Sequence, residues 1–435
     1  MLAREEGALA VVAGREEGVL AVVEAREEGA LAVVAGRRGV PAQRPSTYTR
    51  RRRSQQNGEV CVADSAGAQT DTSNVVPSWS GVPYLTADEL RHVHSVDEFE
   101  PLARERMEPS CYAYVAGWAG TGASAQANRE AFGRYVLRTR ALVDVHEVDL
   151  RTTVLGQPVE LPVLIGPSGY QALSHPHGEL ATARASRRIG TTLCLSTSSN
   201  YSLEQVGAIA QSPWYQLYWF TDASVTRDMI ERAAAAGYTA VALTVDAPVR
   251  VWREGEMRNP PNVPDGIISA NVPDRPLTIA PNLTWKSLEW LRSISPLKIV
   301  LKGIMTGEDA RLAAEHGVDG IIVSNHGGRT LDWVLPTLDA LPEVVDAADG
   351  RLEVYVDGGI RRGSHVLKAL ALGARAVFLG RAIPWGLATG GEEGVVRYFD
   401  LVRGELASAM GTCGVTSAQH VDRSVVARLT GEAVA

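Results

Sequence analysis

The sequence predicts a (β/α)₈ barrel (a TIM barrel), an α/β fold in which eight parallel strands alternate with helices. The prediction rests on eight short apolar runs, at residues 161–166, 190–195, 213–218, 239–245, 298–302, 319–323, 352–356 and 376–379. Helix-like segments lie between most of these runs, such as Thr306 to His316, in which Thr306 is a suitable N-cap. Strand-like runs that alternate with helical patterns indicate buried parallel strands. The alternative, a doubly wound sheet, has fewer strands and needs a glycine-rich phosphate turn after its first strand, where this sequence has none.

The composition changes near residue 80. An eleven-residue unit repeats over residues 4–36, and residues 50–53 are four consecutive arginines. We expect residues 1–80 to be a repetitive, Arg-rich and disordered extension, or an upstream stretch outside the folded domain. The alternative is a basic arm that binds a polyanion or serves in targeting. Residues 84–430 are expected to form the barrel domain, with a helical cap at its N-terminal end.

The bulk composition narrows the class of protein. The 435 residues are 45% apolar and 21% charged, as in globular proteins with a sizeable core. A net charge of -7 does not favour binding to nucleic acid. The sequence has no run of eighteen apolar residues, so it predicts no membrane span. The four cysteines lie far apart without metal-ligand spacing. We therefore expect a cytoplasmic protein with reduced thiols, no bound metal, no nucleic-acid partner and no membrane partner.

Polar residues, together with glycines and one proline, stand at the predicted carboxyl ends of nearly all the strands. In barrels of this kind the chemistry lies at these ends. In chain order they are Pro167, Ser168, Gly169, Ser196, Gln216, Tyr218, Thr244, Asp246, Lys302, Ser324, Asp357, Gly358, Gly359, Gly380 and Arg381.

The segment after the sixth strand carries the strongest chemical signal. His326 and Arg329 are separated by two glycines, which let the backbone approach a ligand closely. A base and a carboxylate-binding guanidinium at one strand end suit proton abstraction from a small acid. Asp246, at the end of the fourth strand, is placed to hydrogen-bond His326 and stabilise its protonated form.

Two further features suggest an anionic ligand. Gly358-Gly359 with Arg361, and Gly380-Arg381 before a helix, can present N–H groups and guanidinium groups to a phosphate. Lys302 ends a buried strand, where an unpaired ammonium is costly. It either pairs with a neighbouring carboxylate or faces a cofactor that becomes anionic during turnover.

From about residue 84 to 430 the chain resembles the FMN-dependent α-hydroxy acid oxidases and dehydrogenases, the group of glycolate oxidase, lactate oxidase and mandelate dehydrogenase. The resemblance rests on six motifs in the same order, at residues 216–218 (QLY), 243–246 (LTVD), 302–303 (KG), 324–332 (SNHGGRTLD), 357–363 (DGGIRRG) and 380–381 (GR). It implies an FMN cofactor and oxidation of an L-2-hydroxy acid to a 2-oxo acid. The sequence leaves open whether the electrons leave as hydride or through a carbanion.

The resemblance also implies roles for individual residues. The implied catalytic residues are His326 as base, Asp246, Tyr218 and Lys302. The implied substrate contacts are Tyr114 and Arg329 at the carboxylate, Arg253 as a second cation, and Ser198 and Gly169 beside the side chain. The implied cofactor contacts are Pro167, Ser168, Gly169, Ser196, Gln216, Thr244, Lys302, Ser324, Asp357, Gly358, Gly359, Arg361, Gly380 and Arg381.

Departures from the family pattern bear on the substrate. Gly117-Trp118-Ala119 replaces the usual Gly-Gly-Ala, and Ser198 and Gly169 stand where a large aromatic residue and an alanine are common. The last two remove bulk, so we expect a substrate larger than glycolate, such as an aryl or long-chain 2-hydroxy acid. Residues 255–283 are polar and proline-rich, which favours oxygen or a soluble electron acceptor. The resemblance further implies a homo-oligomer, in this family a homotetramer.

Two other function classes remain open at this point. A non-redox FMN barrel, such as an isopentenyl-diphosphate-type isomerase, would share the phosphate end but has no need of the His326–Arg329 carboxylate site. A non-catalytic binding or assembly module is disfavoured by the joint presence of His326, Arg329, Lys302 and Asp246.

Overall fold

A computed structural model describes residues 78–249, 251–258, 260–262, 268–272 and 278–430, and the dipeptides 21–22 and 34–35. The chain separates into two units, residues 1–70 and 71–435. In the first unit, β1 (Ala21–Val22) pairs antiparallel with β2 (Val34–Ala35). The rest of the predicted extension up to residue 77 lies outside the described residues, and its interpretation stays a prediction.

Helices and short strands precede the barrel, as expected for an N-terminal cap. The helices are α1 (Ala87–Leu90), α2 (Phe99–Arg106), α3 (Pro109–Ala116) and α4 (Ala123–Glu130). The strands are β3 (Tyr135–Leu137), β4 (Thr152–Val154) and β5 (Gln157–Val159), of which β4 and β5 form a hairpin. Thr86 starts α1 with a capping box, because its side chain and that of Glu89 each accept from the other's backbone N–H.

Eight parallel strands form the barrel and confirm the predicted fold class. They are β6 (Val163–Ile165), β7 (Cys194–Leu195), β8 (Trp214–Leu217), β9 (Ala240–Thr244), β10 (Lys298–Ile304), β11 (Gly320–Val323), β12 (Glu353–Val356) and β13 (Ala376–Leu379). Their spatial order is β6-β13-β12-β11-β10-β9-β8-β7. A parallel bridge between Ile165 and Leu193 joins β6 to β7 and closes the barrel.

Helices follow the strands and cover them. They are α5 (Gly178–Ile189), α6 (Leu203–Gly207), α7 (Ala223–Ala235), α8 (Glu254–Arg258), α9 (Ser287–Ile294), α10 (Gly307–Glu315), α11 (Thr337–Ala348), α12 (Gly363–Ala371) and α13 (Ala382–Thr412), the last interrupted at Gly390 and Gly391. Short 3₁₀ helices occupy Val96–Glu98, Ala131–Arg134, Gln171–Leu173, Ala418–His420 and Arg423–Val425. The final strand, β14 (Val426–Arg428), pairs antiparallel with β3. Within the described residues, no helix is long and apolar enough to cross a membrane.

Two separate apolar layers hold the barrel together. The larger lies between the strands and the surrounding helices, and the smaller fills the barrel interior. In the interior, the ring centroid of Trp214 lies 5.3 Å from that of Tyr355 and 5.6 Å from that of Phe378. Aromatic rings in edge-to-face contact fill a barrel that would otherwise be hollow. The strands are therefore held rigidly, and so are the residues at their carboxyl ends.

The predicted strand ends differ from the structure by up to four residues, and two of the differences have a clear local cause. The second strand was predicted from residue 190, but Gly190 ends α5 in the left-handed conformation, and the strand is Cys194–Leu195. The fifth extends beyond the predicted residue 302 to Ile304, because its register shifts at Gly303. Bulges of this kind often adjoin active sites. The helix predicted from Thr306 is confirmed, since Thr306 accepts from the N–H of Asp309 as the N-cap of α10.

Candidate active site

One cavity opens at the carboxyl ends of the barrel strands. Of the residues predicted for the site, the structure brings nineteen to its wall: Tyr114, Pro167, Ser168, Gly169, Ser196, Ser198, Gln216, Tyr218, Thr244, Arg253, Lys302, His326, Arg329, Asp357, Gly358, Gly359, Arg361, Gly380 and Arg381. The other two, Asp246 and Ser324, stand behind the wall and bond to residues in it.

His326 and Asp246 form a partly buried pair just after the ends of β11 and β9. Nδ1 of His326 lies 3.1 Å from Oδ1 of Asp246. Burial and the cation of Lys302 lower the pKa of His326, and Asp246 partly offsets this. Burial opposes ionisation of Asp246, but His326 and Lys302 hold its pKa below the usual value. A neutral imidazole that donates from Nδ1 to this carboxylate keeps its Nε2 unprotonated.

The backbone of His326 is in the left-handed region, with φ of 57°. This conformation is costly for a residue with a side chain and is often found where function requires it. Its N–H donates to Oγ of Ser324 over 3.1 Å, which helps to hold the turn. Gly303 also helps to place the pair, because a Cβ on it would lie 2.6 Å from Cβ of Asp246. The bulge in β10 therefore makes room for the aspartate.

Lys302 is buried at the end of β10. Its Nζ donates to Oγ of Ser324 over 3.1 Å and lies 3.6 Å from Oδ2 of Asp357. Burial disfavours the charged ammonium, but Asp357 and Asp246 raise its pKa above the usual value. Lys302 thus has a carboxylate partner and also lines the cavity, so both interpretations of it from the sequence are compatible with the structure. The cavity contains a permanent positive charge at this wall.

A hydrogen-bond network joins three residues predicted to hold the flavin ring. Gln216 Oε1 accepts from Oγ of Ser196 over 3.3 Å, and its Nε2 donates to Oγ1 of Thr244 over 3.0 Å. All three are buried: Ser196 directly follows β7, Gln216 lies on β8 and Thr244 on β9. Buried polar groups that are mutually satisfied have fixed orientations. This wall therefore presents a rigid array of donors and acceptors to a planar polar ring.

Arg329 and Arg253 converge at the mouth of the cavity. Nη1 of Arg329 donates to the carbonyls of Tyr114 and Gly117 over 2.8 and 2.9 Å, and its guanidinium stacks 5.3 Å from the ring of Tyr114. Nε of Arg253 donates to the carbonyl of Arg329 over 3.1 Å. Both arginines pair with Glu256 of α8, at 3.1 and 3.0 Å. Glu256, which the sequence analysis did not single out, therefore lies between Arg253 and Arg329.

Arg361 and Arg381 line the part of the cavity next to Gly359 and Gly380. Burial, together with the neighbouring Arg329 and Arg361, lowers the pKa of Arg381 to about 9. Arg381 donates to three carbonyls, those of Val115, Gly117 and Gly327. Arg361 stacks 4.8 Å from Trp385, and its buried Nε has no hydrogen-bond partner among the described residues.

A bound phosphate could accept a hydrogen bond from the unpartnered Nε of Arg361. Gly380 borders the same end, and a Cβ there would point into open space. Gly359, with φ of 76°, lies so close to the cap that a Cβ would meet the carbonyl oxygen of Asn128 at 2.1 Å. The network of Ser196, Gln216 and Thr244 suits a planar polar ring, Lys302 supplies a buried cation, and Arg361 suits a phosphate. Together these features fit FMN.

Two of the departures from the family pattern lie side by side in the cavity wall. A Cβ added to Gly169 would lie 2.9 Å from Cβ of Ser198, so the two small residues are already in close approach. Trp118 is about half exposed and lies outside the set of described residues that line the cavity, against Gly122. Of these departures, Gly169 and Ser198 border the cavity, and Trp118 does not.

The cap is tied to the loop after β11 by residues that sequence reasoning did not assign. The side-chain amides of Asn128 and Asn325 exchange two hydrogen bonds of 2.8 and 2.9 Å. Asp332 accepts from the N–H groups of Thr121 and Ser124 over 2.7 and 2.8 Å. Asn325 and Asp332 flank His326 and Arg329 in one motif, and that position was the available signal for them.

Comparisons with known proteins agree with this geometry. Residues 103–428 match the family model described as FMN-dependent dehydrogenase. An L-lactate oxidase of Nostoc sp. is 47% identical over 350 residues, which cover 75% of this chain and 96% of that protein. The glycolate oxidase of Spinacia oleracea is 40% identical over 356 residues, covering 77% and 96%. A crystal structure of mandelate oxidase with benzoyl-formic acid superposes with a TM-score of 0.72 at 42% identity, covering 75% of this chain and 96% of that one.

The fold and cavity define an FMN-binding barrel enzyme. The chain belongs to the FMN-dependent α-hydroxy acid oxidase family. The family, the FMN cofactor and the class of oxidoreductase predicted from the motifs are thereby confirmed.

Proposed function

We propose that this protein oxidises an L-2-hydroxy acid to the 2-oxo acid with His326 as the base. The observation that carries the proposal is the pairing of His326 Nδ1 with Asp246, which leaves Nε2 free to take a proton. As the α-carbon is oxidised, Nε2 becomes protonated and Asp246 stabilises the imidazolium. FMN, when bound, supplies the acceptor for the two electrons.

The substrate head group is assigned to the cluster at the cavity mouth. Arg329, with Tyr114 and Arg253, binds the carboxylate, because a guanidinium offers paired donors to two oxygens. Tyr218 hydrogen-bonds the hydroxyl; burial raises the pKa of Tyr218, so its phenol stays a donor. Lys302 stabilises negative charge on the reduced cofactor. Arg361, rather than the carbonyl-bound Arg381, provides the main phosphate contact.

The side chain of the substrate is larger than that of glycolate. The support for this is the pair of small residues, Gly169 and Ser198, in the cavity wall. An aryl or long-chain 2-hydroxy acid would fill the space beside them. Of the relatives, the mandelate oxidase structure carries an aryl 2-oxo acid, benzoyl-formic acid.

Oxygen or a soluble acceptor receives the electrons, and the enzyme works as a homo-oligomer, in this family a homotetramer. The named relatives are oxidases, which supports oxygen. Admission of oxygen to the reduced enzyme, with hydrogen peroxide measured, tests the acceptor. Light scattering tests the assembly.

Anaerobic flavin bleaching tests the function itself. FMN-loaded protein mixed with glycolate, lactate, mandelate and 2-hydroxyoctanoate should lose its visible absorbance with at least one acid, and faster with mandelate or 2-hydroxyoctanoate than with glycolate. An isomerase acting on a diphosphate would show no bleaching with any of them. His326→Ala should retain FMN but bleach orders of magnitude more slowly. Unchanged bleaching by this variant would refute the assignment of the base.

A further inference from the structure

We propose that Glu256 sets the charge of the carboxylate clamp, and that it thereby favours monocarboxylate over dicarboxylate substrates. The carboxylate clamp is Arg329 with Arg253. The inference rests on the proposed function, since it concerns which 2-hydroxy acids that site accepts. It assigns a role to a residue that lies outside the recognisable motifs.

The donors of Arg329 on the Nη1 side are already used by the protein. Its Nη1 is occupied by the carbonyls of Tyr114, Val115 and Gly117, at 2.8, 3.4 and 2.9 Å. The donors left for a substrate carboxylate are therefore on the Nη2 and Nε side. Oε1 of Glu256 already accepts from Nη2 over 3.1 Å. A substrate carboxylate must share this guanidinium edge with Glu256 or displace it.

Glu256 also reduces the net charge of the carboxylate clamp. Both oxygens of Glu256 also accept from Nη1 of Arg253, over 3.2 and 3.0 Å. Two guanidinium groups and one carboxylate carry a net charge of +1, which matches one substrate carboxylate. The side chains of Arg253, Glu256 and Arg329 are only 23, 22 and 15% exposed, so solvent screens these charges weakly. Removal of the Glu256 charge would leave +2 at the mouth, a better match for a dianion.

The position of Glu256 makes it suited to this role. It lies on the five-residue helix α8, in the segment that follows β9, and not on the rigid barrel. The helix also carries Glu254, which pairs with Arg258 over 2.9 Å on the surface. Glu254→Gln therefore changes the charge of the same helix by the same amount without touching the clamp. It is a matched control.

The test compares ligands of different charge on FMN-loaded wild type, Glu256→Gln and Glu254→Gln. Anaerobic flavin reduction is followed with 2-hydroxypentanoate and 2-hydroxyglutarate, which share a five-carbon chain, and the reduction rate constant divided by the substrate dissociation constant is compared. The ratio of dicarboxylate to monocarboxylate should rise at least about tenfold in Glu256→Gln, or about 1.4 kcal/mol. It should not change in Glu254→Gln. Binding of the uncharged pentanamide, followed by flavin absorbance, should be equal in all three proteins.

Each outcome has a distinct meaning. If wild type reduces its flavin with 2-hydroxypentanoate and the ratio stays within twofold in Glu256→Gln, the role of Glu256 is refuted and the proposed function stands. If Glu256→Gln weakens binding of the uncharged amide as well, the residue is structural and the inference also fails. If no 2-hydroxy acid bleaches the wild-type flavin, the proposed function fails and the inference fails with it.

Discussion

Replacing Asp246 with asparagine tests the central pair of the site. The carboxamide oxygen can still accept from Nδ1 of His326 at the 3.1 Å position, and in that orientation Nε2 stays the base. What is lost is the negative charge that stabilises the imidazolium. A hydrogen bond to a charged group contributes about 1.5–3 kcal/mol. Because both side chains are at most 20% exposed, the upper half of that range applies. The rate of flavin reduction should therefore fall about 45- to 160-fold.

The same substitution should move the pH profile in a definite direction. His326 must be neutral to accept a proton, so kcat/KM falls as the pH drops through its pKa. Asp246 raises the pKa of His326, and its loss lowers that pKa. The acid limb of the profile should thus shift to lower pH while the plateau falls.

Anaerobic stopped-flow measurements isolate this step from the reaction with oxygen, and the visible absorbance reports FMN content. A plateau within threefold of wild type, or an acid limb that moves to higher pH, would refute the role given to Asp246.

Three further changes test other parts of the structure. Arg361→Leu should weaken FMN binding about tenfold or more by removing a charge-assisted contact to the phosphate, measured by flavin fluorescence on release, whereas Arg351→Leu on the surface should not. Gly303→Ala should lower the free energy of unfolding in urea by about 1–3 kcal/mol, since a side chain at φ of 118° would press against Asp246. The control, Gly404→Ala in α13, has open space around it and should not destabilise the protein. Ser198→Tyr should raise the kcat/KM ratio of glycolate over mandelate; an unchanged ratio would show that residue 198 does not bound the substrate side chain.

The sequence was sufficient for the barrel because its signals are local. Apolar runs, intervening helices and the N-cap at Thr306 depend on neighbours in the chain, and these predictions are confirmed. The convergence of the strand-end residues followed from the fold, since all parallel strands deliver their carboxyl ends to one rim.

Contacts between distant residues could not be predicted in this way. Asn128 meets Asn325 across 197 residues, and Glu256 meets Arg329 across 73. The extension of β10 past Lys302 depends on the close packing of Gly303 against Asp246, which a propensity argument does not contain. The sequence identifies the chemical groups, and tertiary packing decides their partners.

The attachment of the cap has a consequence for engineering. The carbonyls of Tyr114 and Gly117 in the cap orient the guanidinium of Arg329. Asp332 and Asn325, in the loop after β11, bind the cap through hydrogen bonds. The segment after β11 and the cap therefore behave as one exchangeable module. A chimera that transplants the loop from a relative without its cap would present a misaligned guanidinium, whereas a chimera that carries both should keep the guanidinium aligned.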